Sequence, residues 1–198
     1  PPTSPAPPLR KFQMALDNMA PNDTAISPDG TMIAYIHKKK LWVRRFDQVE
    51  GRELQNTENA EYLFWSPASD QIGYRIRETL WKTAPDGSGQ TRLCNLPDGR
   101  LAGISWGSDG MILFSTIDFR SGGSLYTVSD RGGDPSLVLA PDPEKSEWGL
   151  VSPVSLPKYN LRIYAVWSYG DPEKAADLAE KYRENPNLRF MISLARLT

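Results

Sequence analysis

Apolar and aromatic residues occur along this chain in short alternating runs, separated by segments rich in glycine, proline, aspartate and serine. Such runs predict β-strands, because successive side chains of a strand point to opposite faces and the bounding residues favour turns. The pattern therefore predicts many short strands joined by tight turns.

The strongest feature of the pattern is a repeat. The segment Ile26–Tyr35 reads Ile-Ser-Pro-Asp-Gly-Thr-Met-Ile-Ala-Tyr, and its counterparts Trp65–Tyr74 and Trp106–Ser115 begin 39 and then a further 41 residues on. Each segment is followed by a second apolar run and, after a polar turn, by a third. The second runs are Leu41–Val43, Leu80–Trp81 and Leu125–Tyr126, and the third runs lie in 51–54, 90–93 and 135–138.

The turn in each repeat has a physical basis. In Ser27–Gly30 the proline fixes φ, the aspartate bonds to nearby backbone, and the glycine accepts a positive φ. One meander of strands cannot bury both of its faces, whereas meanders stacked around an axis can. A period of about 40 residues matches one four-stranded blade of a β-propeller. We therefore predict an all-β fold, a partial or small β-propeller with three clear four-stranded blades and a degraded fourth.

The degraded fourth unit contains Trp148, a turn within 155–160 and the apolar run Leu161–Trp167. After it, 171–184 predicts a short helix with an aspartate cap, a proline at its first position and one apolar stripe. We expect this helix to cover an open sheet edge; a single helix of tetratricopeptide type is the weaker alternative. Phe190–Leu194 is either a strand or a second short helix.

The chain is predicted to contain three segments. Residues 1–21 are a proline-rich linker, 22–168 are the propeller blades, and 169–198 are the C-terminal helix with a capping segment. Three and a half units leave the closure of the ring open. The chain is a truncated propeller, a minimal ring closed by its C-terminal part, or half of an oligomeric ring, and we favour a capped partial propeller.

The repeat resembles the TolB-like family, the WD40-like (PD40) β-propeller repeats in which Ser-Pro-Asp-Gly precedes an Ile-Ala-Tyr strand. The resemblance covers about residues 22–140, and the run Leu41–Asp47 strengthens it. Unit two departs from the motif at Ala68-Ser69 and unit three at Gly107-Ser108. The resemblance implies a bacterial protein outside the cytoplasm, periplasmic or at the cell surface, similar to propeller modules attached to bacterial signalling proteins.

Composition mainly excludes classes of function. The net charge is −1, which gives no general attraction to nucleic acid, and no apolar run is long enough to span a membrane as a helix. With one cysteine and one histidine, Cys94 and His37, the chain lacks the residues for a multi-thiolate or multi-histidine metal site. We expect no metal, no cofactor, no nucleic-acid partner and no membrane insertion, and we interpret Cys94 as a buried, inert thiol.

Catalytic motifs such as Gly-x-Ser-x-Gly, His-Glu-x-x-His and the P-loop are absent from the sequence. Paired carboxylates on loops are the remaining catalytic alternative, because glycoside hydrolysis needs two carboxyl groups about 5–10 Å apart. The candidates lie near the starts of units or in long connections. They are Glu61, Asp118, Asp134 and Glu147.

The candidate binding residues are aromatic or basic. Trp148 and Trp167 fall outside the regular repeat, so they either stack on a sugar or peptide or pack in the core. His37, Arg44 and Arg45 flank a basic hairpin that is either a docking surface for an acidic partner or a solvated face.

The sequence therefore favours a non-catalytic propeller module that binds a protein, peptide or other ligand as part of a larger bacterial protein. The alternative is a small carbohydrate-active hydrolase, a glycosidase that uses paired carboxylates. A protein or peptide partner is expected, a carbohydrate ligand is the alternative, and a homo-oligomer is one way to close the ring.

Overall fold

The computed structural model describes residues 22–97, 99–118, 122–145, 147–156, 161–168 and 189–196. The described residues form fifteen β-strands and one short 3₁₀ helix, which confirms the predicted all-β class. The predicted linker at 1–21 and the predicted helix at 171–184 lie outside the described residues.

Blades 1 and 2 are separate four-stranded antiparallel meanders. Each begins with a strand that precedes the Ser-Pro turn, and the outermost strand comes last. Blade 1 contains β1 (Thr24–Ile26), β2 (Met32–His37), β3 (Lys40–Arg45) and β4 (Arg52–Glu53). Blade 2 contains β5 (Ala60–Trp65), β6 (Ile72–Ile76), β7 (Thr79–Thr83) and β8 (Thr91–Asn95).

The turns of these two blades share one geometry with different residues. In blade 1 the Ser27 hydroxyl donates to the Asp29 carboxylate (2.6 Å) and accepts from the Met32 N–H (2.9 Å). In blade 2 the Ser66 hydroxyl donates to Asp70 (2.7 Å) and accepts from the backbone N–H of Gln71 (3.0 Å). The acid has moved from the third to the fifth turn position, which explains why unit two keeps its turn without Asp-Gly.

The fourth turn position adopts the left-handed backbone conformation in both blades. Gly30 has φ +68° and Ser69 has φ +62°, so the serine takes the place of the glycine. Its hydroxyl also accepts the Asp29 backbone N–H at 3.1 Å. The two turns are thereby joined directly, on the same rim of the stack.

The third and fourth units share one sheet. Blade 3 contains β9 (Arg100–Trp106), β10 (Met111–Asp118), β11 (Gly122–Ser129) and β12 (Ser136–Leu139), and a 3₁₀ helix follows at Pro143–Lys145. The fourth unit contains β13 (Glu147–Leu156), β14 (Leu161–Ser168) and β15 (Arg189–Arg196). The strands β11 and β13 pair in parallel at Gly123 and Gly149.

The fourth unit settles one alternative left open by the sequence. The run 161–167 is a strand, as predicted, and 190–194 lies within β15, so it is a strand and not a second helix. Every residue of β14 pairs antiparallel with β15. The predicted turn falls partly on 157–160, outside the described residues.

Apolar side chains fill the spaces between successive blades. The cluster between blades 1 and 2 includes Leu41, Leu54, Trp65, Ile72 and Tyr74, and the cluster between blades 2 and 3 includes Phe64, Leu80, Trp106, Ile112 and Phe114. A smaller cluster of Leu125, Leu150 and Tyr164 joins blade 3 to the fourth unit. Burial of this kind contributes about 25 cal/mol per Å² of apolar surface.

The equivalent repeat positions Ile26, Trp65 and Trp106 differ in burial. Trp65 and Trp106 are 7% and 9% exposed, whereas Ile26 is 62% exposed. Each tryptophan faces the preceding blade. Ala25, which precedes Ile26, packs towards blade 2. The Ile26 side chain therefore points to the opposite face of blade 1, where no other described blade lies.

Candidate functional site

A groove lies where blade 1 meets the β7–β8 connection of blade 2. Its volume is about 300 Å³. Blade 1 supplies the larger part of the wall and blade 2 the rest. The wall residues are Met32, Val43, Arg45, Gln48 and Arg52 from blade 1, and Pro85 and Asp86 from blade 2. Arg45, a predicted binding residue, therefore lines a cavity.

The strand register places these side chains together. Met32 is directly opposite Arg45 across β2 and β3, and Val43 is directly opposite Arg52 across β3 and β4. Directly opposed residues project from the same face of a sheet. The result is an apolar pair with a guanidinium group beside each member.

The blade 2 side of the groove is held by polar contacts. Arg52 Nη2 donates to the Pro85 carbonyl oxygen at 3.1 Å, which ties the two blades together. The Asp86 carboxylate accepts hydrogen bonds from the Ser88 hydroxyl and from the Ser88 N–H, the latter at 2.8 Å. These bonds, followed by the nearby Arg52 charge, lower the pKa of Asp86, so this acid is a carboxylate at neutral pH.

Arg45 is the most available cation of the groove. Its Nε donates to Asp47 at 3.1 Å, and the two side chains are 50% and 63% exposed. An exposed pair of this kind contributes about 0–1 kcal/mol. The guanidinium group can therefore exchange Asp47 for a ligand carboxylate at little cost, while Met32 and Val43 offer apolar contact.

The other two basic candidates lie elsewhere on blade 1. Arg44 and Arg45 are neighbours in β3, so their side chains project from opposite faces. His37 packs edge-on against Trp42 with ring centroids 5.7 Å apart, and Trp42 stacks on Tyr35. Burial raises the pKa of Tyr35, and the Arg44 charge opposes that rise. The structure thus separates His37 and Arg44 from the groove.

The two candidate tryptophans are both in the fourth unit. Trp148 lies in β13 and is 6% exposed, which favours the packing alternative over stacking on a ligand. Trp167 lies in β14 opposite Phe190 of β15, and its side chain is outside the part of the structure that is described.

Among the candidate carboxylates, Glu61 has a structural partner. It pairs with Arg75 across β5 and β6, and the Arg75 Nη2 to Glu61 Oε2 distance is 2.7 Å. The Arg75 guanidinium also lies over the Tyr62 ring, 5.1 Å from its centroid. These contacts hold the Glu61 side chain against Arg75 of β6 and favour a role for Glu61 in an ion pair.

The remaining three acids are distributed along blade 3 and the start of β13. Asp118 is opposite Gly122, the first residue of β11, and Asp134 lies five residues beyond Ser129, the last one, so the eight residues of β11 lie between them. At about 3.4 Å per residue this exceeds 20 Å, too far for a catalytic pair. Glu147 begins β13, where its Oε2 accepts the Asp142 N–H at 2.9 Å.

No group of three or more His, Cys, Asp or Glu side chains among the described residues is arranged to hold a metal ion. Cys94 is buried, as predicted. Burial raises the pKa of its thiol to about 11; the Arg92 charge acts to lower this pKa and the Asp134 charge acts to raise it. Among the residues that the structure describes, no helix has the length and apolarity needed to cross a membrane.

Sequence reasoning missed most of the groove. Met32 and Val43 belong to the predicted repeat strands, but nothing in their period shows which apolar residues border a cavity. Arg52 and Asp86 lie 34 residues apart and meet only through packing of two blades. Arg52 lies within the third run of the first repeat and Asp86 lies before the third run of the second, so no sequence signal brings them together.

Comparison with solved structures identifies the type of fold. A TolB protein from Agrobacterium tumefaciens matches with a TM-score of 0.59 and 20% identity, over 74% of this chain and 54% of that one. The fold is a TolB-like β-propeller. Its four-unit stack is therefore a partial propeller, as the repeat predicted.

Two further structures share this propeller-like arrangement. Hydrazine synthase from Kuenenia stuttgartiensis matches with a TM-score of 0.58 and 10% identity, over 75% of this chain and 44% of that one. A chain of a nidogen/laminin complex matches with a TM-score of 0.54 and 12% identity, over 77% and 59%. The chain thus spans about half the length of each of these three structures. No family model matches the sequence, and no curated protein matches it.

Proposed function

We propose that this propeller is a non-catalytic module that binds a protein partner, and that the groove between blades 1 and 2 receives a short segment of that partner. The observation that carries the proposal is the pairing of Arg45 and Arg52 with Met32 and Val43 in one cavity. A segment with an apolar side chain next to a carboxylate fits both features, because Arg recognises carboxylates with two parallel hydrogen bonds.

The wider context of the module belongs to the same proposal. One of the similar structures is a complex of nidogen with laminin, which supports a protein as the ligand class over a carbohydrate. The TolB-like fold supports an extracytoplasmic bacterial location within a larger protein. Further propeller blades, from that protein or from a second copy, would complete the ring.

A binding measurement on the 198-residue chain tests the proposal. A library of five-residue peptides, each with one Asp or Glu among apolar residues, is screened against the chain, and the best binder is titrated by fluorescence anisotropy. Arg45→Met is expected to raise its Kd about tenfold, which corresponds to about 1.4 kcal/mol. Replacing the peptide carboxylate by its amide is expected to have an effect of the same size.

The matched control is Arg77→Met. Arg77 is an exposed arginine in the β6–β7 connection, away from the groove, so the Kd is expected to stay unchanged. Equal binding by the Arg45→Met variant, or no binder in the library, would contradict the proposal.

Glycoside hydrolysis is the second candidate function, and one observation favours it. Asp118 is opposite Gly122, and Gly122 packs against the carbonyl oxygen of Trp148, which follows Glu147. Two candidate acids therefore lie at neighbouring strand ends. Hydrolysis of any member of a nitrophenyl glycoside panel, abolished in Asp118→Asn or Glu147→Gln, would put this function first.

A further inference from the structure

Blade 3 ends in an edge strand with an apolar surface. The strand β12 pairs with β11, and no described strand pairs with its other side. Leu137 and Leu139, two residues apart, are 59% and 38% exposed, whereas Val138 between them packs towards the fourth unit. The strand thus offers a row of backbone groups with two leucine side chains beside it.

The outer strands of blades 1 and 2 carry the charged or polar side chains that are usual at a sheet edge, in contrast to the leucines of β12. The strand β4 is two residues long and consists of Arg52 and Glu53. In β8 the exposed residues are Thr91, Arg92 and Asn95. Short length and charged or polar side chains are the common protections against pairing with another chain. The β12 sequence, Ser-Leu-Val-Leu, carries no charge, and two of its exposed side chains are leucines.

The charges around β12 indicate the chemistry of its partner. Residues 131–144 contain three acids, Asp134, Asp142 and Glu144, against one base, Arg131. A second copy paired antiparallel about Val138 would place Asp134 opposite Asp142 of the other copy at both ends of the added pair. Like charges directly opposed destabilise a strand pair. A segment flanked by lysine or arginine would instead be attracted at both ends.

We propose that β12 is a docking edge for an extended apolar segment of a partner protein, flanked by basic residues, which adds to blade 3 as a further strand. Backbone hydrogen bonds supply the pairing, and Leu137 and Leu139 contact alternate side chains of the segment. This surface is separate from the groove between blades 1 and 2, so the two proposals stand or fall independently.

Titration with two synthetic peptides tests this edge. Both have a core of alternating valine and threonine; one carries two lysines at each end and the other two glutamates. The lysine-flanked peptide is expected to bind the 198-residue chain at least tenfold more tightly than the glutamate-flanked one at low salt. This ratio should fall at 0.5 M salt, because screening over about 4–5 Å weakens exposed charge pairs.

Two double variants separate the apolar from the electrostatic part. Leu137→Asn with Leu139→Asn should weaken binding of the lysine-flanked peptide about tenfold or more, and Asp134→Asn with Asp142→Asn should reduce the lysine-to-glutamate ratio. Val49→Asn is the matched control, since Val49 is 91% exposed but lies away from the edge. Circular dichroism and the unfolding midpoint establish that each variant is folded.

Three outcomes would overturn the proposal. These are equal affinity for both peptides, unchanged binding by the folded leucine variant, and a homodimer in sedimentation that the leucine variant abolishes. The last result would assign the edge to a second copy of the chain.

Discussion

Single hydroxyl groups organise the turns on one rim of the stack. Ser27 and Ser66 are 2% and 3% exposed, and each hydroxyl both donates to a carboxylate and accepts a backbone N–H that follows it. Leaving such a buried backbone donor without a partner costs about 1–3 kcal/mol. Serine therefore supports the turn in blades 1 and 2, whereas blade 3 has Gly107 at this position and its Met111 N–H donates to Asp109 Oδ1 at 3.2 Å instead.

The Asp29 carboxylate should make the stability of the chain depend on pH. Hydrogen bonds from the Ser27 hydroxyl and then from the Thr31 N–H lower its pKa below 3.8. The carboxylate therefore stabilises the fold fully above its unfolded pKa of about 3.9, and this contribution is lost as the pH falls through the lower folded value. In Asp29→Asn, urea unfolding between pH 5 and pH 2.5 should show a smaller loss of stability than in the unchanged chain.

Two companion variants define the cause of that change. Ser27→Ala removes the main donor, so it should also reduce the slope of stability against pH. Asp86, whose pKa is lowered too, should retain a residual slope in both variants. An unchanged slope in Asp29→Asn would refute the assignment.

At this scale the sequence predicts local chemistry well and spatial neighbours poorly. The Ser27–Gly30 turn was predicted because its residues act on their own backbone. The position of Arg45 and Asp86 in one groove was not predicted, because it depends on how two blades pack. The ion pair of Glu61 with Arg75 was likewise not predictable, because two residues 14 positions apart meet only if the strand register brings them together.

At the scale of the strand, glycine and aromatic residues are packed as complementary pairs. Gly73 of β6 lies directly opposite Phe64 of β5, and the Phe64 ring occupies the space in which a Cβ of residue 73 would stand. The ring in turn contacts Trp106 of the next blade, with centroids 5.9 Å apart. A glycine in this strand therefore permits contact between blades 2 and 3.

Gly73→Ala should destabilise the chain by about 1–3 kcal/mol, because the added methyl group forces the Phe64 ring out of its place. Urea unfolding followed by tryptophan fluorescence measures the effect. Adding Phe64→Leu should make the cost of Gly73→Ala smaller than it is in the unchanged background. Equal costs in the two backgrounds would show that the ring is not responsible.

The strands themselves were predictable, and their irregularities were not. The alternating runs predicted the β2, β6 and β10 strands that follow each turn. The register shifts of β5 and β13 were missed, where Tyr62 and Ser152 take φ values of +57° and +51°. Neither residue type favours that conformation, so surrounding contacts impose it and the local sequence does not announce it.

The whole molecule is a row of blades in which each packs against its neighbours. Leu41 lies between blades 1 and 2, and Ile112 lies between blades 2 and 3, and both are 0% exposed. Stability in such a row is close to a sum of local terms and nearest-neighbour terms. The repeat predicted this arrangement, because only stacking could bury both faces of each meander.

Ile112→Ala should remove about 2–5 kcal/mol from the interface between blades 2 and 3. Hydrogen exchange measured by mass spectrometry should show faster exchange in β5–β12 and a smaller change in β1–β4. Leu41→Ala is the matched variant and should show the opposite distribution. A uniform loss of protection in both variants would mean that the row unfolds as one unit.

The relocated acid in the second turn indicates a path by which such repeats diverge. A turn with acids at both the third and the fifth positions offers the serine hydroxyl two acceptors, so either acid can then be lost without losing the turn. Asp29 and Asp70 represent the two end points of that path. A repeat can therefore lose its sequence signature while its backbone stays the same. Blades are better counted from the left-handed residue that closes the turn, Gly30, Ser69 or Gly110, than from Ser-Pro or Asp-Gly pairs.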